Sequence, residues 1–314
     1  MGRGVHVGVT VLQIKRSWDE SVAAAVDLEA MGFDSLWVCD HLYGPQSPSI
    51  PILEAWTLLA ALAARTERVE LGTLVTPTGM RNPAHLGKVI ATVDSIAGGR
   101  VVPGFGVGWM PREHTDFGQP FHSTRDRADQ LDETVQFLRA LWDPDVDEAS
   151  FDGRFVHADH VVCQPKPPRR PPILIGGSGE KRTIPLAARL ADIWNNPAVA
   201  QSDLAHKVDV LRAEVERAGR AAADVRISQQ CLVVIGADEA AAAAQIDTAA
   251  RVFGGHLGDP RSEMAIAGDP AQVIERIRRH VELGCTMFVV EFFGRDIREP
   301  ARLFAETVLP HLGD

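Results

Sequence analysis

The chain has 314 residues, of which 45% are hydrophobic and 24% are charged, a composition typical of a soluble globular protein. The formal net charge of −10 argues against nucleic acid or an anionic membrane as a partner, because both bind basic surfaces. No apolar run is long enough to cross a bilayer, and the first residues do not resemble a signal peptide. The four cysteines are widely spaced and form no CxxC pair, so we predict a protein of the reducing cytoplasm.

Short apolar runs alternate with longer amphipathic stretches along most of the chain, which is the pattern of βα units. Ser17 is positioned to cap the first helix, and Pro83 begins the third, where its missing N–H costs nothing. The predicted strands are 6–12, 35–39, 69–75, 101–105, 173–175, 193–194, 227–235 and 287–291. The predicted helices are 17–31, 53–65, 83–97, 125–142, 183–190, 204–218, 239–253, 271–283 and 300–309. Eight such units with apolar strands predict an α/β fold, a (β/α)8 TIM barrel.

One segment interrupts the alternation. Residues 143–172 contain six prolines and no convincing helix, so we expect an extended, Pro-rich insertion before the fifth strand. Pro103 lies inside the fourth strand, where a central strand needs its N–H, and predicts a local bulge. We therefore predict one barrel domain over residues 1–314, with an insertion at about 143–172.

The carboxyl ends of the strands are where barrel enzymes place their active sites. Asp40 and His41 follow the second strand, and histidine is the side chain type that exchanges protons near neutral pH. Glu113 and His114 follow the glycine-rich end of the fourth strand. Taken alone, Asp40 and His41 favour a simpler interpretation, a capping aspartate beside an incidental histidine.

Residues 176–179 read Gly-Gly-Ser-Gly between an apolar strand and a helix. Glycines let backbone N–H groups close on an anion, and a helix N-terminus adds partial positive charge, which together can hold a phosphate. A plain strand-to-helix turn with a capping serine has the same sequence. These four residues alone do not distinguish the two interpretations.

The sequence lacks the residues that other chemistries found on barrels require. His157 and His160 are spaced like metal ligands, but they lie in the Pro-rich insertion without a partner set, so we predict no metal site. None of the five lysines lies on a predicted strand, which argues against Schiff-base chemistry. The glycines at 104–108 are spaced GxGxG, which differs from the dinucleotide-binding fingerprint.

A series of motifs in a fixed order resembles the luciferase-like monooxygenase superfamily, and within it the deazaflavin (coenzyme F420)-dependent oxidoreductases. The stretches that carry the resemblance are 31–41 (MGFDSLWVCDH), 71–76 (LGTLVT), 81–84 (RNPA), 91–100 (ATVDSIAGGR), 106–109 (GVGW), 151–153 (FDG), 172–195 and 268–270 (GDP). Together they run from near the first strand to near the last.

The resemblance implies positions for the cofactor. The implied cofactor-binding residues are Asp40, Thr73, Leu74, Thr76, Val107, Gly108, Gly176, Gly177, Ser178 and Gly179. Thr73 and Leu74 would support the deazaflavin ring, often through a cis peptide between them, and the Gly-Gly-Ser-Gly loop would hold the cofactor's phosphate. Arg81, Lys181 and Arg182 are left either as contacts of the anionic cofactor tail or as solvated surface charges.

The resemblance also implies an activity. His41 would be the acid or base beside the hydride-transfer carbon, with Glu113 as a second catalytic candidate. The expected function is hydride transfer between F420 and a small organic substrate, in a protein that assembles as a homodimer. The alternatives are an FMN-dependent monooxygenase of the same fold and a non-catalytic flavin-binding barrel.

Overall fold

The structure is a computed structural model that describes residues 4–11, 13–44, 47–253 and 255–313. Leu12, the last residue of the predicted first strand, lies outside this part of the chain. The strands are β1 His6–Thr10, β2 Ser35–Val38, β3 Glu70–Thr73, β4 Thr76–Pro77, β5 Val101–Val102, β6 Gly104–Gly106, β7 Ala149–Asp152, β8 His157–Val161, β9 Leu174–Gly176, β10 Ile193–Asn196, β11 Arg226–Ile235, β12 Ile266–Gly268 and β13 Cys285–Phe292. The α-helices are α1 Trp18–Ala30, α2 Ala55–Ala63, α3 Pro83–Ile96, α4 Pro111–Asp116, α5 Thr124–Trp142, α6 Thr183–Leu190, α7 Leu204–Arg217, α8 Glu239–Phe253, α9 Pro270–Glu282 and α10 Arg298–Thr307.

The main sheet is parallel and closes on itself. β1 pairs with both β2 and β13, and the order continues through β11, β10 and β9 to β6. β3 lies within the predicted third strand, and β4 follows directly after the predicted end at residue 75. β3 and β4 pair with β5 and β6, the two parts of the fourth strand. The predicted eight-stranded α/β barrel is confirmed.

Several helices begin where the sequence supplies capping residues. Ser17 accepts from the backbone N–H of Glu20 while the Glu20 side chain accepts from Ser17, which forms a capping box at α1. Asp269 forms the equivalent box with Gln272 at α9. Pro83 stands at the first turn of α3, as predicted. These local signals explain why the predicted helix limits agree with the observed ones to within two residues.

The interior of the barrel is a packed cluster of its own. Its buried members are Trp37, Val102, Leu174, Ile193, Met287 and Val289, and Leu74 and Val75 pack against them. The indole of Trp37 fits because the neighbouring strands carry Gly8 and Gly72, where a Cβ atom would overlap its ring. This cluster closes the barrel below its carboxyl-terminal mouth, so a ligand must lie above it.

Pro103 separates β5 from β6, which confirms that the fourth strand is interrupted there. The third strand is also interrupted, and a non-prolyl cis peptide lies in the gap between β3 and β4. This cis bond joins Leu74 to Val75, so the predicted position between Thr73 and Leu74 was wrong by one residue.

The Pro-rich insertion holds structure that the sequence did not predict. β7 and β8 form an antiparallel hairpin within residues 143–172. α4 and β12 were also missed, because both are shorter than the pattern of apolar residues can resolve. Within the described ranges, no helix combines the length and apolar character that spanning a membrane requires.

Candidate active site

The second strand ends at a buried ion pair. Arg81 donates from Nη1 and Nη2 to the two oxygens of Asp40, at 2.7 and 2.8 Å, and from Nη2 also to Glu54 at 2.7 Å. Thr76 donates its hydroxyl to Asp40 at 2.8 Å, and the indole N–H of Trp56 donates to Thr76. Although burial opposes it, the carboxylates of Asp40 and Glu54 raise the pKa of the Arg81 guanidinium, which therefore stays charged. The pairing connects β2, β4 and the start of α2 at the mouth.

His41 forms a second carboxylate pair one residue further on. Its Nδ1 lies 2.8 Å from Oε2 of Glu113, the third residue of the short helix α4. Oε1 of Glu113 accepts from the backbone N–H groups of Leu42 and Tyr43, at 2.7 and 3.0 Å. The helix and the loop after β2 are thereby joined through one buried carboxylate.

The contacts of Glu113 determine which nitrogen of His41 carries a proton in the neutral ring. Burial opposes ionisation, but His41 and the two backbone N–H groups lower the pKa of Glu113 below its usual value. An ionised carboxylate only accepts hydrogen bonds, so Nδ1 of His41 donates and Nε2 is left as an acceptor. The His41 side chain is 23% exposed, which leaves the imidazole accessible from the mouth.

Trp109 stands beside this pair at the surface. It follows the glycine-rich end of β6 and is 59% exposed. Its ring lies edge-on to His41, with centroids 5.6 Å apart, and 6.2 Å from the ring of His256. An exposed indole next to the histidine gives the mouth one large apolar surface.

Glycines on β6 and β9 allow the residues around the cis peptide to pack against the strand backbone. A Cβ atom at Gly106 would lie 2.5 Å from Val75, and one at Gly176 would lie 2.9 Å from the same side chain. A Cβ atom at Gly104 would overlap the carbonyl of Thr73. Thr73 and Val75 therefore contact the strand backbone directly, and larger residues at these glycines would collide with them.

The Gly-Gly-Ser-Gly loop connects β9 to α6. Gly177 has φ = +140°, a conformation that favours glycine, and a Cβ atom there would lie 2.8 Å from Thr183. The indole N–H of Trp194 donates to the Gly177 carbonyl at 2.9 Å and holds the turn in place. Within the described residues, the N–H groups of Ser178 and Gly179 have no protein acceptor. The loop thus presents unpaired backbone donors before a helix N-terminus.

The remaining predicted residues lie around the same mouth. Thr73 is buried and donates its hydroxyl to Gly104, while Leu74 packs on the interior cluster. Val107 accepts from Arg127 through its carbonyl, and Gly108 has φ = +74° and approaches His114. The structure brings His41 and Glu113 into contact, whereas the side chain of Asp40 is occupied by Arg81 and Thr76.

Sequence reasoning missed two features of this mouth. It left Arg81 as a tail contact or a surface charge, but Arg81 lies in the ion pairs with Asp40 and Glu54. It noted Glu291 only as the end of the last strand and gave it no role. The available signal was the alternation of β13, which sends every second side chain into the barrel.

A family model described as luciferase-like monooxygenase matches residues 4–263. The chain belongs to this family. An F420-dependent glucose-6-phosphate dehydrogenase of Nakamurella multipartita is 30% identical to this luciferase-like chain, with 92% of the chain and 91% of the relative covered. The predicted family membership is therefore confirmed.

Two solved structures resemble the barrel of this luciferase-like protein. An F420-dependent secondary alcohol dehydrogenase, in complex with an F420–acetone adduct, has a TM-score of 0.83 at 23% identity, with 99% of both chains covered. A riboflavin lyase, solved with modified FMN and riboflavin, has the same TM-score at 17% identity, with 98% of this chain and 91% of that chain covered. At these identities the comparisons establish the shared fold.

Proposed function

We propose that this luciferase-like protein is an F420-dependent oxidoreductase that acts on a small organic substrate by hydride transfer. The observation that carries the proposal is the His41–Glu113 pair, which leaves the Nε2 atom of an accessible imidazole available at the mouth of the barrel. The 30% identity to an F420-dependent dehydrogenase over nearly the whole chain supports the choice of cofactor.

The residues at the mouth fit a deazaflavin cofactor. Close packing of Val75 on the backbone of Gly106 and Gly176 fixes the residues around the cis peptide, against which, as the family resemblance implies, the deazaflavin ring would lie. The unpaired N–H groups of Ser178 and Gly179 supply the donors that a phosphate needs. When bound, the deazaflavin accepts or donates a hydride, and this two-electron chemistry belongs to the cofactor.

The protein's own contribution is positioning and proton exchange. The Glu113 carboxylate fixes the orientation of His41, so that Nε2 accepts the hydroxyl proton of an alcohol or, when protonated, donates to a carbonyl oxygen. The buried Asp40–Arg81 pair fixes the loop that carries His41. A proton is thus held at one defined atom beside the place where the substrate carbon would lie.

Equilibrium binding of the apoprotein to F420 and to FMN tests this proposal. We expect micromolar or tighter binding of F420, measured by the change in cofactor fluorescence, and much weaker binding of FMN. Micromolar FMN binding without F420 binding would instead favour an FMN-dependent monooxygenase. Tight F420 binding in a protein that reduces or oxidises no alcohol or carbonyl compound would favour a non-catalytic flavin-binding barrel.

Two further expectations belong to the same proposal. We propose that the protein is a single-domain barrel that assembles as a homodimer in the cytoplasm, as the family resemblance implies. Light scattering after size-exclusion chromatography checks the assembly, and a monomer at micromolar concentration would contradict it.

A further inference from the structure

The last strand of the barrel ends in a carboxyl that the proposed mechanism does not use. Along β13, Met287 and Val289 belong to the interior cluster, whereas Phe288 and Val290 pack outward against the helices. Because side chains alternate along a strand, Glu291 continues the inward row directly above Val289. The structure therefore places a carboxyl on the inner wall of the mouth, just above the apolar floor.

The strands on either side of Glu291 give it no charged partner. On β11, Glu291 pairs in register with Leu232. On β1, Gly8 pairs with Val289, so the inward residue at the level of Glu291 is Thr10, two residues further along the strand. Across β1, Thr10 pairs with Trp37 of the interior cluster, and Cys39 follows two residues after Trp37. Within the described residues, no hydrogen bond or ion pair holds the Glu291 carboxyl, and no lysine or arginine is positioned to neutralise it.

The thiol of Cys39 shows that this carboxyl and the predicted catalytic pair surround one space. Burial, together with the charges of Glu291, Asp40 and Glu113, raises the pKa of Cys39 to about 12. Cys39 therefore lies close to these three carboxyls, which are the titratable groups that raise its pKa. Asp40 and Glu113 are both held by cations or backbone donors, and Glu291 is the exception.

A carboxyl in this position has two accessible protonation states. Burial alone raises the pKa of Glu291 to about 7. A hydroxyl group matches both states, because it donates to a carboxylate and accepts from a carboxylic acid. An ammonium group matches only the ionised state, and an anionic group would be repelled by it. The inner wall of the mouth at Glu291 thus fits a neutral substrate that carries a second hydroxyl group in addition to the one that reacts at His41.

We propose that Glu291 is a substrate-contacting residue that hydrogen-bonds a second hydroxyl group, and so selects diols and other polyhydroxy compounds over simple alcohols. The proposal rests on the proposed function, because it takes the mouth of the barrel as the substrate site. Its role is separate from that of His41: Glu291 holds the substrate, and no proton is transferred to it during turnover.

Difference infrared spectroscopy of the F420-loaded protein tests the proposal with trans-cyclohexane-1,2-diol and cyclohexanol as matched probes. The carboxyl absorption band that is present in the native protein and absent from Glu291→Gln belongs to Glu291. Following this band as a function of pH gives the midpoint of Glu291 ionisation. A hydroxyl group donates to the carboxylate more strongly than it accepts from the carboxylic acid, so we expect the diol to lower that midpoint by at least half a pH unit and cyclohexanol to lower it by less. The exposed Glu299→Gln variant should keep both the band and the shift.

Three outcomes would overturn the proposal: a midpoint near that of an ordinary glutamate, the same shift with both probes, or no shift with either. A second variant guards against misfolding: Glu291→Asp should keep the F420 affinity of the native protein and show a smaller diol shift. If F420 does not bind, the proposed function fails, but the diol shift measured without cofactor still decides whether Glu291 contacts a hydroxyl ligand. If the loaded protein turns over either probe, KM for the diol should rise at least tenfold in Glu291→Gln while kcat changes less than threefold.

Discussion

Two walls of the barrel mouth differ in whether their acidic side chains have partners within the protein. On the wall formed by β2 and β4, Asp40 is held by Arg81 and Thr76, and nearby Glu113 is held by His41 and two backbone N–H groups. On the wall formed by β13, Glu291 lies between apolar or uncharged neighbours, and none of the residues that the structure describes pairs with it. Both walls are partly removed from water, so the difference is one of pairing.

Pairing determines what a carboxyl can do. A carboxylate whose lone pairs are filled by internal donors is fixed in place and orients its neighbour. A carboxyl without internal donors keeps its hydrogen-bonding capacity for a ligand, and its burial carries a free-energy penalty until that ligand arrives. We therefore assign positioning roles to Asp40 and Glu113 and a ligand-facing role to Glu291.

The largest effect is expected at the imidazole that the paired wall orients. Replacing His41→Asn removes the proton acceptor, and we expect kcat to fall by about 10²- to 10⁴-fold, the usual range for a general acid or base. Steady-state kinetics with F420 and a turned-over alcohol measure it. Binding of F420 should change little, and His311→Asn, on an exposed histidine far from the mouth, serves as control. An unchanged kcat would remove His41 from the mechanism.

Breaking the buried ion pair should affect stability next most strongly. Arg81→Met leaves Asp40 buried without its cation, and we expect a loss of about 3–5 kcal/mol in the free energy of unfolding. Urea denaturation measures it. The double variant Arg81→Met with Asp40→Asn should recover part of the loss, because no unpaired charge is then buried. The exposed Arg65→Met should be nearly neutral, and an equal loss there would contradict this account.

Glu113→Gln tests whether the paired carboxylate acts through His41. The amide oxygen can still accept from Leu42 and Tyr43, but the amide NH2 then faces Nδ1 and drives the proton to Nε2. We expect kcat to fall by roughly 10²-fold with KM nearly unchanged. Glu113→Asp should recover part of the rate, and Glu306→Gln should have no effect. A rise in KM alone would indicate direct substrate contact instead.

The contrast between the two walls was only partly predictable from the sequence. The alternation of apolar runs and helices predicted the barrel, because each strand and helix carries its own local signal. His41 and Glu113 could be placed at strand ends, but their contact joins positions 72 residues apart and depends on α4, which is too short to predict. The pairing of Arg81 with Asp40 spans 41 residues and likewise depends on how the loops fold over the mouth.

The burial of the Glu291 carboxyl has a consequence for stability that can be measured without any ligand. Burial raises the pKa of Glu291 to about 7, while in the unfolded chain it returns to the ordinary glutamate value near 4.5. Between these values the unfolded chain binds fewer protons than the folded one, so the free energy of unfolding falls as pH rises through this window. Glu291→Gln lacks this titration.

We therefore expect Glu291→Gln to match the native protein in stability below about pH 4.5 and to exceed it by about 1–3 kcal/mol above pH 7. Paired urea denaturation curves across this range measure the difference, with Glu299→Gln as a control that should show no such divergence. The opposite slope, in which the native protein gains stability relative to Glu291→Gln as pH rises, would mean that the carboxylate is paired in the folded state. The two walls would then be alike, and the ligand-facing role of Glu291 would lose its physical basis.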